Sequence, residues 1–108
     1  MTGQADLYSK NFISICKAHK VKELYLFGSA VNGNFTDKSD LDVLVEIDEP
    51  DPLIRGELLL SFWDKLELYS DRKVDLLTSS SLRNPYLIES INNTKRLIYD
   101  GSKEEVLR

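Results

Sequence analysis

Apolar positions change period several times along the 108 residues, and each change predicts an element. Between residues 8 and 20, Phe12, Ile13, Cys16 and His19 recur at helical spacing and predict an amphipathic helix. The short run Leu24-Tyr25-Leu26-Phe27 ends at Gly28 and reads as a buried strand. Turn residues follow through Asn32-Gly33-Asn34 and Thr36-Asp37-Lys38-Ser39. Residues 41–47 then divide by period two. Leu41, Val43, Val45 and Ile47 take one face, and Asp40, Asp42, Leu44 and Glu46 take the other.

Glu49-Pro50-Asp51-Pro52 stops that strand, and a long helix is expected over residues 53–69. Its stripe is Ile54, Leu58, Phe62, Leu66 and Tyr69, which leaves Leu59, Leu60 and Trp63 as apolar surface for docking a helical protein. Residues 73–78 predict a third strand. Capping candidates between Ser79 and Asn84 precede a helix over residues 85–92. Residues 96–99 read as a strand or extended segment, and a last helical turn or two is expected after Gly101. The order predicts a mixed α/β fold, a small mixed sheet flanked by helices. No repeat or linker divides the chain, so residues 1–108 are read as a single domain.

Composition removes several classes of function. A formal charge of −4 is the wrong sign for an extended nucleic-acid surface, so nucleic acid is not expected as the main partner. No run is long and apolar enough to span a membrane, and the polar first ten residues lack the apolar stretch of a signal peptide. A cytoplasmic location is the resulting expectation. One cysteine, Cys16, allows neither an internal disulfide nor a cysteine zinc cluster, and with the single histidine, His19, read at a helix edge, no other is left for triad chemistry or a multi-histidine metal site. Cys16 is expected in the core and His19 at a helix edge. The Ser79-Ser80-Ser81 run is read as loop and cap, and Phe62 and Trp63 as core or interface.

Three features carry candidate chemistry. Gly28-Ser29 closes a buried strand, where backbone N–H groups and a hydroxyl suit a phosphate, although such turns are common without any ligand. Asp40 and Asp42 leave one strand face with backbones about 7 Å apart, close enough to share metal, or else to form a solvated strand end. Asp75 interrupts the apolar run Val74-Asp75-Leu76-Leu77. Burial there would demand a metal or a salt bridge to Arg55, Arg72 or Lys73. Taken jointly, Gly28-Ser29, ten residues, then Asp40-Leu41-Asp42 arises by chance in roughly one chain in a thousand of this size.

Leu26-Phe27-Gly28-Ser29, Ser39-Asp40-Leu41-Asp42-Val43-Leu44-Val45 and Lys73-Val74-Asp75-Leu76-Leu77 together resemble the minimal nucleotidyltransferases of the DNA polymerase beta-like superfamily, antitoxin type. The resemblance implies catalytic and metal-binding roles for Asp40, Asp42 and Asp75, holding two Mg2+ ions, and nucleotide contacts from Gly28, Ser29 and Ser39. It implies transfer of AMP from ATP to a hydroxyl, in this setting a tyrosine of a small helical HEPN-type toxin. The other reading, from a different class, is a binding module that neutralises its partner by contact. One departure stands out: the family commonly carries an arginine where this chain has Ala30-Val31-Asn32-Gly33, leaving Lys38, Arg72 or Lys73 as substitute cations.

Overall fold

The computed structural model describes residues 10–28, 39–102 and 105–106. Helix α1 (Lys10–Ala18) leads into strand β1 (Val21–Leu26); β2 (Leu41–Ile47), helix α2 (Pro52–Ser70) and β3 (Val74–Leu77) follow. A 3-10 turn (Ser79–Ser81), helix α3 (Pro85–Thr94), β4 (Arg96–Asp100) and β5 (Glu105–Val106) complete the order. The strands form one sheet in the order β3-β2-β1-β4-β5. β2 and β3 run parallel, and the other neighbours are antiparallel. The crossover between the parallel pair is α2, the long connection such a pair requires.

Local chemistry sets the helix limits. The Asp51 carboxylate accepts from the N–H groups of Leu53 (2.9 Å) and Ile54 (3.4 Å), with Pro52 in the first turn where its missing N–H costs nothing. Asp71 ends α2 in the left-handed conformation, φ 53°, with its N–H on the Glu67 carbonyl. Asn84 repeats the N-terminal device for α3, accepting from Tyr86 (2.9 Å) and Leu87 (3.4 Å) ahead of Pro85's helix. Asn84→Ala is expected to cost about 1 kcal/mol, because two N–H groups lose their acceptor. Thermal unfolding checks this as a fall in Tm of about 4–8 °C.

The period-two division of β2 matches the packing. Leu41, Val43, Val45 and Ile47 join Phe12, Cys16, Phe62 and Leu66 in the main core, between the sheet and helices α1 and α2. Burial pushes the Cys16 thiol up to about 12, as an inert core residue. Leu44, on the opposite face, packs with Phe27 and Ile91 of α3 in a smaller cluster. That second face also carries the carboxylates.

Two expectations change. The core stripe of α2 runs through Leu59, Phe62, Leu66 and Tyr69, while Ile54 is 44% exposed. Successive steps of four from Ile54 each overshoot a helical turn by about 40°, so the straight-line stripe drifts off the face that meets the sheet. Leu59 is therefore half-buried against the core and unavailable for docking, whereas Leu60 and Trp63 are exposed as expected. Beyond Gly101, Glu105–Val106 pairs with β4 as a strand where a helical turn was expected. The free edge of β4 supplies backbone partners there.

Candidate active site

Register brings the acidic residues together. In the parallel pair Leu41 aligns with Val74, and Asp42 with Asp75, so two carboxylates lie on adjacent strands with the same side-chain parity. The Leu41 N–H donates to the Lys73 carbonyl (2.9 Å), extending the ladder back to the level of Asp40. One Arg72 N–H donates to the Ser39 carbonyl (3.0 Å) and ties the segment carrying Ser39 and Asp40 to the start of β3. Nothing in a linear reading marks that bond, because it joins residues far apart in sequence.

Gly28 closes the site from β1. Its φ is +67°, in the left-handed region that favours glycine. A Cβ placed there would overlap a carboxylate oxygen of Asp42 and lie 3.2 Å from its Cγ. The preceding N–H, that of Phe27, donates to the Asp42 carbonyl (3.2 Å). Glycine is thus needed because the backbone runs directly past the Asp42 side chain. Ser29, the other half of the Gly-Ser pair, and the Ala30–Gly33 segment lie outside the described residues, as does Lys38.

Burial and charge act in the same direction on Asp42. Partial burial, then the negative charges of Asp75 and Asp40, raise its carboxyl above the ordinary range. Asp40 and Asp75 are exposed, and Asp42 is half-buried. The exposure of Asp75 corrects the argument that it is buried and needs a compensating partner. β3 is the edge strand, and its second face is covered only from Leu77 onward, so water solvates the carboxylate. Among the described residues no three His, Cys, Asp or Glu side chains are gathered into a ready-made metal cluster. Even so, the donor set suits a hard divalent cation such as Mg2+, which binds through one or two carboxylates and keeps waters and phosphate oxygens as its other ligands. The mutual repulsion felt by Asp42 is what such a cation would relieve.

The remaining polar residues serve the fold. His19 Nδ1 donates to the Ile15 carbonyl (2.7 Å), and Nε2 and the Ser61 hydroxyl are hydrogen-bonded at 2.9 Å; the ring packs 5.6 Å from Phe62. It lies just past the end of α1, buried, and its ring is committed to structure. Trp63 Nε1 donates to the Val74 carbonyl (2.7 Å), and the Glu67 carboxylate accepts from Val74 N–H (2.9 Å); together they fix α2 to the first residue of β3. A groove of about 550 Å³ lies at the other end of β2, bordered by Lys22, Glu46, Arg55 and Ser79. Two of its polar groups are already engaged: Ser79 donates to Glu46 (3.2 Å) and Arg55 to the Glu49 carbonyl (2.8 Å). The chemistry sits with the carboxylates.

The profile of the nucleotidyltransferase domain matches residues 9–98, which contain every one of these carboxylates. The chain belongs to that family. This nucleotidyltransferase is 42% identical over 81 residues to a protein of Methanocaldococcus jannaschii, covering 75% of this chain and 78% of that one. It is 34% identical over 79 residues to the protein adenylyltransferase MntA of Thermococcus cleftensis, covering 66% and 77% respectively. Among solved structures, a toxin-antitoxin with AMP-PNP superposes with a TM-score of 0.57 at 25% identity, over 82% of this chain and 70% of that chain. The mixed sheet flanked by helices is the minimal nucleotidyltransferase fold: a solved minimal nucleotidyltransferase superposes with a TM-score of 0.57 at 27% identity, over 81% of this chain and 85% of that chain. Among the described residues no helix is long and apolar enough to cross a membrane.

Proposed function

We propose that this nucleotidyltransferase is a magnesium-dependent protein adenylyltransferase. In this reading it transfers AMP from ATP to a tyrosine hydroxyl on a small helical HEPN-type toxin, releases pyrophosphate and acts as the antitoxin in the cytoplasm. The observation that carries the reading is Asp42 aligned with Asp75 on adjacent parallel strands, with Gly28 turned against the Asp42 carboxylate. The name of the Thermococcus relative, protein adenylyltransferase, and the AMP-PNP in a toxin-antitoxin of the same fold support the choice of reaction and nucleotide. The HEPN-type partner and its tyrosine follow from the family resemblance.

Each residue then has a chemical task. Asp40 and Asp42 hold the metal, and Asp75 completes one metal site. Mg2+, when bound, supplies charge neutralisation for the triphosphate and for the leaving pyrophosphate. In this reading the acceptor oxygen attacks the α-phosphorus, the bond to the pyrophosphate oxygen breaks, and Asp75 takes the hydroxyl proton. Gly28, Ser29 and Ser39 contact the triphosphate. Gly28 can do so because no side chain separates its backbone from the site. Of the substitutes for the family's arginine, Arg72 is engaged with the Ser39 carbonyl and acts first on the segment that carries Asp40.

The experiment is intact-mass measurement of the HEPN-type protein co-expressed with this chain, with and without ATP and Mg2+. A gain of one AMP per modified hydroxyl, located on a tyrosine by fragmentation, is the expected result. Stable association with no mass change under any condition would leave a non-catalytic antitoxin and end the enzyme reading.

A further inference from the structure

Helix α2 has apolar residues all round its circumference, which is unusual for a helix with one side on a core. Phe62 and Leu66 point inward and are buried. On the opposite side Leu53, Leu60 and Leu68 follow at steps of seven and eight and are 72%, 64% and 77% exposed. Trp63 borders them, its indole already fixed by the bond to Val74 and the residue 37% exposed. A rigid, partly exposed indole beside exposed leucines has the composition of an interface anchor. Gly56, one turn from both Leu53 and Leu60, adds an independent observation. Glycine disfavours a helix interior, yet a Cβ there would meet nothing within 4 Å, so no packing among the described residues requires it. A flat spot between two leucines lets a second helix approach closely.

Charge on the same side selects the occupant. Glu57 and Asp64 lie among the leucines and are exposed. Of the two basic residues of α2, Arg55 lies on the core side and is turned to the Glu49 carbonyl, while Lys65 is exposed and lies about 60° round the helix from Leu68, outside the row that carries Glu57 and Asp64. A second copy of the chain fits poorly. In the antiparallel register that sets Leu53 against Leu68, Glu57 falls against Asp64, twice over, between chains of net charge −4. We infer that the outer side of α2 docks an amphipathic helix of a partner protein, a helix whose apolar stripe is flanked by Lys or Arg that meet Glu57 and Asp64. That the partner is the toxin rests on the reading above, while the docking chemistry is testable without it.

A defined probe is the chain itself with Glu57→Lys and Asp64→Lys, which presents the same leucines flanked by lysines. Both changes are at exposed positions, and far-ultraviolet circular dichroism with thermal melting checks that each protein folds. At high micromolar concentration and low salt, sedimentation should find the wild type monomeric and the charge-reversed variant monomeric. Their equimolar mixture should show a doubled mass. Leu60→Arg in the wild-type member should abolish that heterodimer, whereas Asp42→Asn should leave it unchanged, which separates docking from the catalytic reading. A mixture that stays monomeric would overturn the inference, as would a heterodimer indifferent to Leu60→Arg. Wild type that dimerises alone, and loses the dimer with Leu60→Arg, would make the occupant a second copy and overturn the assignment of a basic helix.

Discussion

Asp42→Asn is expected to reduce AMP transfer on the order of 10³-fold or more, the scale on which removing one group that stabilises transition-state charge acts. It is also expected to raise the melting temperature of the metal-free protein. The second outcome follows from the raised Asp42 carboxyl, which partial burial and the charges of Asp75 and Asp40 produce. The folded chain holds that proton more tightly than the unfolded chain does. Between the ordinary carboxylate value and the elevated value of Asp42, the folded state therefore binds more protons, and stability falls as pH rises through that window. Below the window the contribution is complete; above it the ionised Asp42 opposes folding. Asn removes the charge, so its advantage in Tm should be small near pH 4 in EDTA and should grow to a plateau by neutral pH. Adding Mg2+ should reverse the ranking, because binding to the folded state stabilises wild type by mass action and the variant has lost a ligand. Parallel pH and metal series by calorimetry read both effects. Equal melting temperatures for the two proteins under every condition would remove the electrostatic basis of the site.

How far this site could be read in advance depended on how local its causes are. The alternation from Asp40 to Ile47 separated core residues from carboxylates because a strand exposes its two faces at alternate positions, and the two clusters follow that division. The cap at Asn84 is similarly legible among the candidates before Pro85, because it acts within three residues of itself; Asp51 caps α2 in the same way, although its run reads in the sequence only as the stop to β2. Asp75 was placed on the right strand for a mistaken reason. An aspartate inside an apolar run looks buried, but β3 is a sheet edge and the residue is solvated. Strand order is a property of the whole chain, and no period within β3 encodes it.

The pairings that hold the site were less legible still. Arg72 to Ser39 and His19 to Ser61 join residues far apart in sequence, Glu67 to Val74 spans the turn from α2 into β3, and their residue types have many other uses. β5 was missed because two residues cannot display a period. In α2 a row stepping by four from Ile54 drifts about 40° per step round the helix, and the exposure of Ile54 marks where that row leaves the core.

Gly28→Ala should injure stability and catalysis together, through two separable causes. An L-residue at φ +67° costs about 1–2 kcal/mol in the left-handed region, which for a domain of this size lowers Tm by roughly 4–8 °C per kcal/mol. The added methyl also overlaps the Asp42 carboxylate oxygen. That oxygen is the far end of a side chain, so it rotates away and the backbone stays in place. The displaced carboxylate then no longer sits beside Asp75. A displacement of about 1 Å in a reacting constellation can cost on the order of 10²-fold in rate, and a loss of that size is expected in the mass-gain assay. A double-mutant cycle assigns the cause. If the methyl acts on catalysis through Asp42, Gly28→Ala combined with Asp42→Asn should transfer AMP no more slowly than Asp42→Asn alone. The melting penalty should persist in the double variant, since the backbone strain does not depend on residue 42. Fully additive losses in rate would mean that the methyl acts on transfer independently of Asp42, at the triphosphate contact of Gly28, and not by displacing the Asp42 carboxylate.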